Sequence, residues 1–120
     1  PLLRELAESV AAFYDDLEHR GLADRTLLMT FSEFGRRVQE NGSQGTDHGV
    51  AGPMFLAGTA VKPGLHGQFP SLAAGDLLNG DLKHSLDFRS VYATVLEKWL
   101  GTQSEPILGG RFDLVNCLQA

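Results

Sequence analysis

The sequence predicts an α/β domain with few strands and flanking helices, and three observations carry that prediction. An apolar period of helical spacing runs through residues 2–20. Two short, nearly continuous apolar runs follow, TLLMTF at 26–31 and PMFLAGTAV at 53–61. A second helical period begins at Asp87. The 120 residues suffice for one domain with a single core, and there is no internal repeat or low-complexity tract.

Leu2, Leu3, Leu6, Val10, Phe13, Tyr14 and Leu17 form the apolar stripe of the first helix, with Glu5, Glu8, Asp15, Asp16 and Glu18 mostly opposite. His19, Arg20 and Gly21 supply a basic last turn and a left-handed cap. The runs at 26–31 and 53–61 are short and almost wholly apolar, which suits strands buried on both faces of a parallel sheet. Between them lies a long polar loop at the C-terminal end of the first strand, the edge where open α/β sheets bind ligands. Residues 64–70 suit a short hairpin or edge strand. Residues 71–86 are irregular, punctuated by Gly75 and Asn79-Gly80-Asp81. Asp87 caps a helix whose stripe includes Phe88, Val91, Tyr92, Val95, Trp99 and Leu100, ended by Gly101. The tail after residue 104 packs as a loop or short strand.

Ten basic against fifteen acidic side chains give a formal charge of −5. With no basic stripe, neither nucleic acid nor an anionic membrane is the expected partner, although a local basic site for an anionic substrate fits. The one cysteine, Cys117, has no internal disulfide partner. No apolar run reaches the length of a membrane span, and no signal-peptide pattern is visible. The chain opens on Pro1, and two or three strands covered on both faces would leave an open edge. Both features lead to the expectation that residues 1–120 are a single partial domain. Further strands would come from the remaining N-terminal part of a longer parent chain.

The chemistry-bearing residues crowd into TFSEFGRRVQENGSQGTDHG, residues 30–49. Asp47 and His48 are flanked by Gly45 and Gly49. A carboxylate and an imidazole that share a relaxed loop suit zinc, manganese or iron, and calcium less well. The plainer alternative is a turn in which Asp47 bonds nearby amides and His48 is merely exposed. Glu33 sits two residues past Phe31, at the ligand-collecting edge, where it is either a further ligand or a solvated carboxylate. Arg36 and Arg37 can clamp phosphate or sulfate in a bidentate manner, or pair with Glu33 or Glu40. Arg36, nearer the strand edge, is preferred. Elsewhere, His66 and His84 lack partners at metal spacing, and Arg89 in a helix's first turn implies a carboxylate partner. Ser32 has no relay residues at readable spacing, and no phosphate loop or dinucleotide fingerprint occurs.

The stretch MTFSEFGRRVQENGSQGTDHGVAGPMFLAGTAVKPGLHG, followed by DLKHSLDFRSVYATVLEKWLG, closely resembles the C-terminal part of the family called domain of unknown function 1501. The likeness runs from the first helix to ILGGRFD. It rests on Ser-Glu-Phe-Gly-Arg, Gly-Thr-Asp-His-Gly and Asp-Phe-Arg together. Members of that family look like bacterial relatives of the alkaline phosphatase and sulfatase superfamily, often exported with twin-arginine signals. The resemblance implies a fragment of an alkaline-phosphatase-like doubly wound sheet and a periplasmic or secreted location. It also implies a one- or two-metal site at the strand C-termini, with ester hydrolysis through a Ser, Thr or modified Cys nucleophile. Glu33 then falls where the superfamily places an Asp-His pair, and Asp47 and His48 fall near a later metal-binding histidine. Phe34 stands where the adjacent histidine would be, so this corner supplies one ligand fewer. The nucleophile and the earlier ligands would lie outside this chain.

The expected function is thus the C-terminal segment of a metal-dependent hydrolase of phosphate or sulfate esters, inactive as a fragment. Glu33, Asp47 and His48 would be ligands of a divalent ion (zinc, manganese, iron or calcium). Arg36 would neutralise charge in the transition state on an anionic small-molecule or glycan ester. The alternative is a non-catalytic exported binding protein with a decayed metal site.

Overall fold

A computed structural model describes residues 1–119. The first helix, α1, spans Leu2–His19, as its period predicts. It ends in a Schellman motif: Gly21, at φ 66°, bonds the Glu18 carbonyl at 3.0 Å, and the Leu22 amide bonds the Leu17 carbonyl at 2.8 Å. Only its C-terminal half is anchored. Leu17 is buried, whereas Leu2 and Leu3 are 79% and 76% exposed.

The two apolar runs pair, but differently from the expectation. β1 (Leu28–Met29) and β4 (Leu56–Ala57) form a two-stranded antiparallel sheet with Leu28 opposite Ala57 and Met29 opposite Leu56. Both strands are half-buried rather than enclosed on two faces. The physical reason is the connection. A parallel pair needs a helical crossover, and the intervening chain instead forms a hairpin, which returns it antiparallel. The fold is mixed α/β with small antiparallel sheets, and the parallel arrangement expected from the apolar runs is not among the described pairings.

That hairpin replaces the loop expected across 30–49. β2 (Gly35–Glu40) pairs with β3 (Thr46–Gly49) through Gly35–Gly49, Arg36–His48 and Glu40–Thr46, with an irregularity between Arg36 and Glu40. Residues 64–70 form no strand. In the irregular segment after them, Leu78 and Asp81 exchange backbone hydrogen bonds of 2.9 Å around Asn79-Gly80.

α2 (Phe88–Thr94) begins where Asp87 predicts and continues as a wider π-turn over Val95–Trp99. Asp87 Oδ1 accepts the Arg89 amide at 2.9 Å, and its carboxylate accepts the Arg89 guanidinium at 2.9 and 2.6 Å. Arg89 thereby has the carboxylate partner its position implies. Its guanidinium also stands 4.5 Å from the Phe112 ring centroid. The side-chain hydrogen bond from Arg89, helped by the Arg89 backbone amide, lowers the Asp87 pKa from 3.8 to about 2. After the single turn α3 (Glu105–Leu108), the tail makes one bridge, Leu118 to Val61.

The core lies between α2 and this tail. Val91, Ala93, Cys117 and Leu118 are buried, and Thr94, 1% exposed, ties the two together. Its hydroxyl donates to the Ser90 carbonyl at 2.7 Å and accepts the Val115 amide at 2.8 Å. On the other side, Tyr14 pins α1 to the small sheet. Its hydroxyl donates to the Ala57 carbonyl at 2.5 Å and accepts the Leu28 amide at 3.2 Å, touching both strands. The accessible surface is 8934 Å², against roughly 6,300 Å² for a compact monomer of this mass. The Cα radius of gyration is 16.5 Å, against about 14 Å for a compact domain of this length.

Tyr14→Phe is expected to lower stability by about 1–3 kcal/mol, because the Leu28 amide loses its acceptor in a part-buried place; thermal or urea unfolding measures this. Asp87 titrates below its unfolded value, so its contribution is complete above pH 3.8 and is lost as pH falls toward 2. Melting curves between pH 5 and pH 2 should show a shallower acid loss in Asp87→Asn than in the unaltered protein.

Candidate functional site

A β-strand alternates its side chains, so neighbours in sequence leave by opposite faces. Along β3 this rule separates Asp47 from His48, while Arg37, which enters the irregularity beyond Arg36, is placed by its contacts with the 79–81 turn. Arg36 pairs directly with His48 across the hairpin, so guanidinium and imidazole share one face. Phe34, two residues before Arg36, lies on that face as well. Its ring stacks on His48 with centroids 3.5 Å apart and planes 12° from parallel. Arg36 Cζ is 5.4 Å from the Phe34 centroid, and its Nη1 donates to the Thr46 carbonyl at 2.7 Å. That is the only hydrogen bond of its side chain among the described residues, so the rest of the fork is free for an oxyanion. Arg36, Phe34 and His48 are all exposed.

Asp47 takes the other side. Its Oδ1 accepts Asn41 Nδ2 at 2.9 Å, while Asn41 Oδ1 accepts the amides of Ser43 and Gly45 at 3.0 and 3.1 Å. Asp47 therefore buttresses the hairpin turn, in which Gln44 holds φ 58°. This is close to the plainer alternative for Asp47 read from the sequence. Glu33 is exposed in the bend before β2. Beside it, Ser32 shapes the entry to the hairpin: its hydroxyl donates to the Phe34 carbonyl at 2.8 Å. Among the described residues, no three His, Cys, Asp or Glu side chains converge at metal-binding distance. Alternation along β3 sends Asp47 and His48 to opposite faces, so Glu33, Asp47 and His48 are not brought together among the described residues.

Two features were not singled out in the sequence. Phe34, noted there only as a missing histidine, is the stacking partner of His48. Asn41 is the hub of the turn, a role that the Asn-Gly pair at 41–42 could have signalled. Arg37 leaves by the opposite face from Arg36, and its Nη2 donates to the Asn79 carbonyl.

The hairpin is seated by one close backbone approach. The Arg36 amide bonds the Ala51 carbonyl at 3.2 Å, and Gly35 is buried against the same residue. A Cβ on Gly35 would stand 2.6 Å from the Ala51 nitrogen and closer still to its carbonyl. No side-chain movement relieves a clash with backbone. Gly35→Ala should therefore destabilise the protein by about 3 kcal/mol or unseat the hairpin. Urea unfolding, together with loss of the Phe34–His48 ring-current shifts by NMR, would register either result.

The family described as a protein of unknown function (DUF1501) matches the chain over residues 1–109. No curated protein matches, and no solved structure does.

Proposed function

The chain belongs to the DUF1501 family of proteins of unknown function, and from that premise we propose that its β2–β3 hairpin face is part of a site that hydrolyses phosphate or sulfate esters. The observation that carries this is the direct cross-strand pairing of Arg36 with His48 on an exposed face. A planar guanidinium with most of its donors free suits two oxygens of a phosphoryl or sulfuryl group. An imidazole on the same face can donate to an ester oxygen or accept a proton beside it. In this reading Arg36 holds the anion and counters charge gathering on it in the transition state, and Phe34 fixes the plane of the His48 ring.

The finer parts of the reading rest on the motif resemblance: kinship with alkaline phosphatases and sulfatases, a place toward the C-terminal part of such a domain, and an exported location. A divalent ion belongs to the same set. A second reading, a non-catalytic binding protein, has one observation in its favour. Phe34 covers the face of His48, as an aromatic platform does where a ligand is held rather than turned over.

Calorimetric titration with inorganic phosphate and sulfate tests the anion site. Arg36→Gln should weaken binding at least about tenfold, the scale of one charged hydrogen-bonded pair; unchanged affinity would sink the proposal. Elemental analysis of the same preparations separates the two readings. Stoichiometric zinc, manganese, iron or calcium that falls in His48→Ala supports the hydrolase. Chelator-insensitive ligand affinity with no metal in either protein supports the binding module.

A further inference from the structure

We propose that Arg37, together with the tight turn at Asn79-Gly80-Asp81, is the positioning device that holds the Phe34–His48 stack in place. The inference rests on the anion-site reading for its purpose, but on geometry alone for its substance.

A two-stranded hairpin exposed on one face is marginal in water, and this one carries an irregularity between Arg36 and Glu40. Something behind it must hold the register. Arg37, on the rear face, reaches across 42 residues of sequence to the Asn79 carbonyl. Asn79 at φ 53° and Gly80 at φ 86°, with reciprocal backbone bonds between Leu78 and Asp81, make a two-residue turn of the primed kind that Asn-Gly favours. The guanidinium lies against Gly80 so closely that a Cβ there would overlap its Nη2. Glycine at position 80 thus serves both the turn and the arginine.

Asp81 completes the latch. Its Oδ1 is 3.9 Å from Arg37 Nε, and both atoms are shut off from solvent with no hydrogen-bond partner among the described residues. The same oxygen presses on the hairpin: a Cβ on Gly49 would stand 2.8 Å from it. Gly49 follows His48, and its cross-strand partner Gly35 follows Phe34. The carboxylate therefore bears on Gly49, the residue next to His48 and the cross-strand partner of Gly35. These two atoms, left without hydrogen bonds, attract each other by opposite charge, while the side chains as a whole are 39% and 21% exposed. Removing one charge leaves the other without compensation, and the turn loses its hold on the hairpin.

The test reads the stack itself. In protein labelled at histidine, valine and threonine, the His48 ring protons should resonate upfield of those of His19, His66 and His84 because of the Phe34 ring current, with His48→Gln giving the assignment. Arg37→Gln and Asp81→Asn should move the His48 signals into the range of the other three, while Val91 and Thr94 signals in α2 stay in place. Arg37→Lys, which keeps the charge and loses the fork, should restore part of the upfield shift. If Arg37→Gln also disperses the α2 signals, Asp81→Asn and Arg37→Lys decide, since both nearly preserve side-chain volume. A His48 shift that is unmoved in Arg37→Gln, or in both of those two where it fails to fold, overturns the latch. The anion titration stays independent. Failure to bind phosphate in a protein with an intact, Arg37-dependent stack overturns the functional reading and leaves the latch standing.

Discussion

The site depends on the bare Cα of Gly35. Only without a side chain there can the start of β2 lie directly on the Ala51 backbone. That contact fastens the hairpin to the segment leading into β4, and β4 in turn is pinned to α1 by Tyr14. The succession is mechanical: helix, hydroxyl, strand pair, backbone contact, hairpin. Each link is a hydrogen bond or a close approach rather than a large apolar interface. The geometry of the Arg36–His48 face is therefore set by a few exacting contacts instead of by a thick core.

The thinness of that core follows from where the apolar residues go. Leu17 is buried, but Leu2 and Leu3 at the far end of the same stripe face solvent, as do Phe31 and Phe69. Burying a leucine is worth about 1.5–3 kcal/mol, so the N-terminal half of α1 forgoes most of what its amphipathic pattern offers. An unanchored helical half is close to an isolated helix in stability, which at this length is marginal. Between Met29, Val95, Leu96 and Ile107 a groove of about 290 Å³ is likewise apolar and open. The sound part of the molecule is α2 with the tail across it, where Thr94 and Ser104 are satisfied by hydrogen bonds of 2.6–2.8 Å.

Local signals read well and long-range ones poorly, for a physical reason. The α1 period, its glycine cap, the Asp87 cap and the Arg89 partner were all legible, because each is decided within a few residues of itself. The positions of β1 and β4 were legible as apolar runs, but their direction was not. Parallel or antiparallel pairing turns on the connection, and residues 30–49 carry so many polar and glycine residues that they resemble a loop. What orders them is a set of distant or non-periodic contacts: Asn41 bracing the turn, Ala51 beneath Gly35, and Asn79 beyond Arg37. Of the site, the residue types were readable and their mutual facing was not. Facing depends on strand register, which no single residue announces.

Register also explains why each doublet has divided labour. In a flexible loop, Arg36 and Arg37 could both meet one anion, and Asp47 and His48 could both meet one ion. In a strand they cannot. The hairpin sends Arg36 and His48 to the open face and Arg37 and Asp47 to the rear. There Arg37 engages the Asn79 turn and Asp47 engages Asn41. The rear pair makes the hairpin stiff enough for the front pair to hold a fixed spacing, and a fixed spacing is what an arginine and a histidine need to act on one group. A shift of one residue in either strand would exchange the roles. It would take Arg37 from the Asn79 turn and Asp47 from Asn41, so hairpin register and any chemistry of the open face stand or fall together.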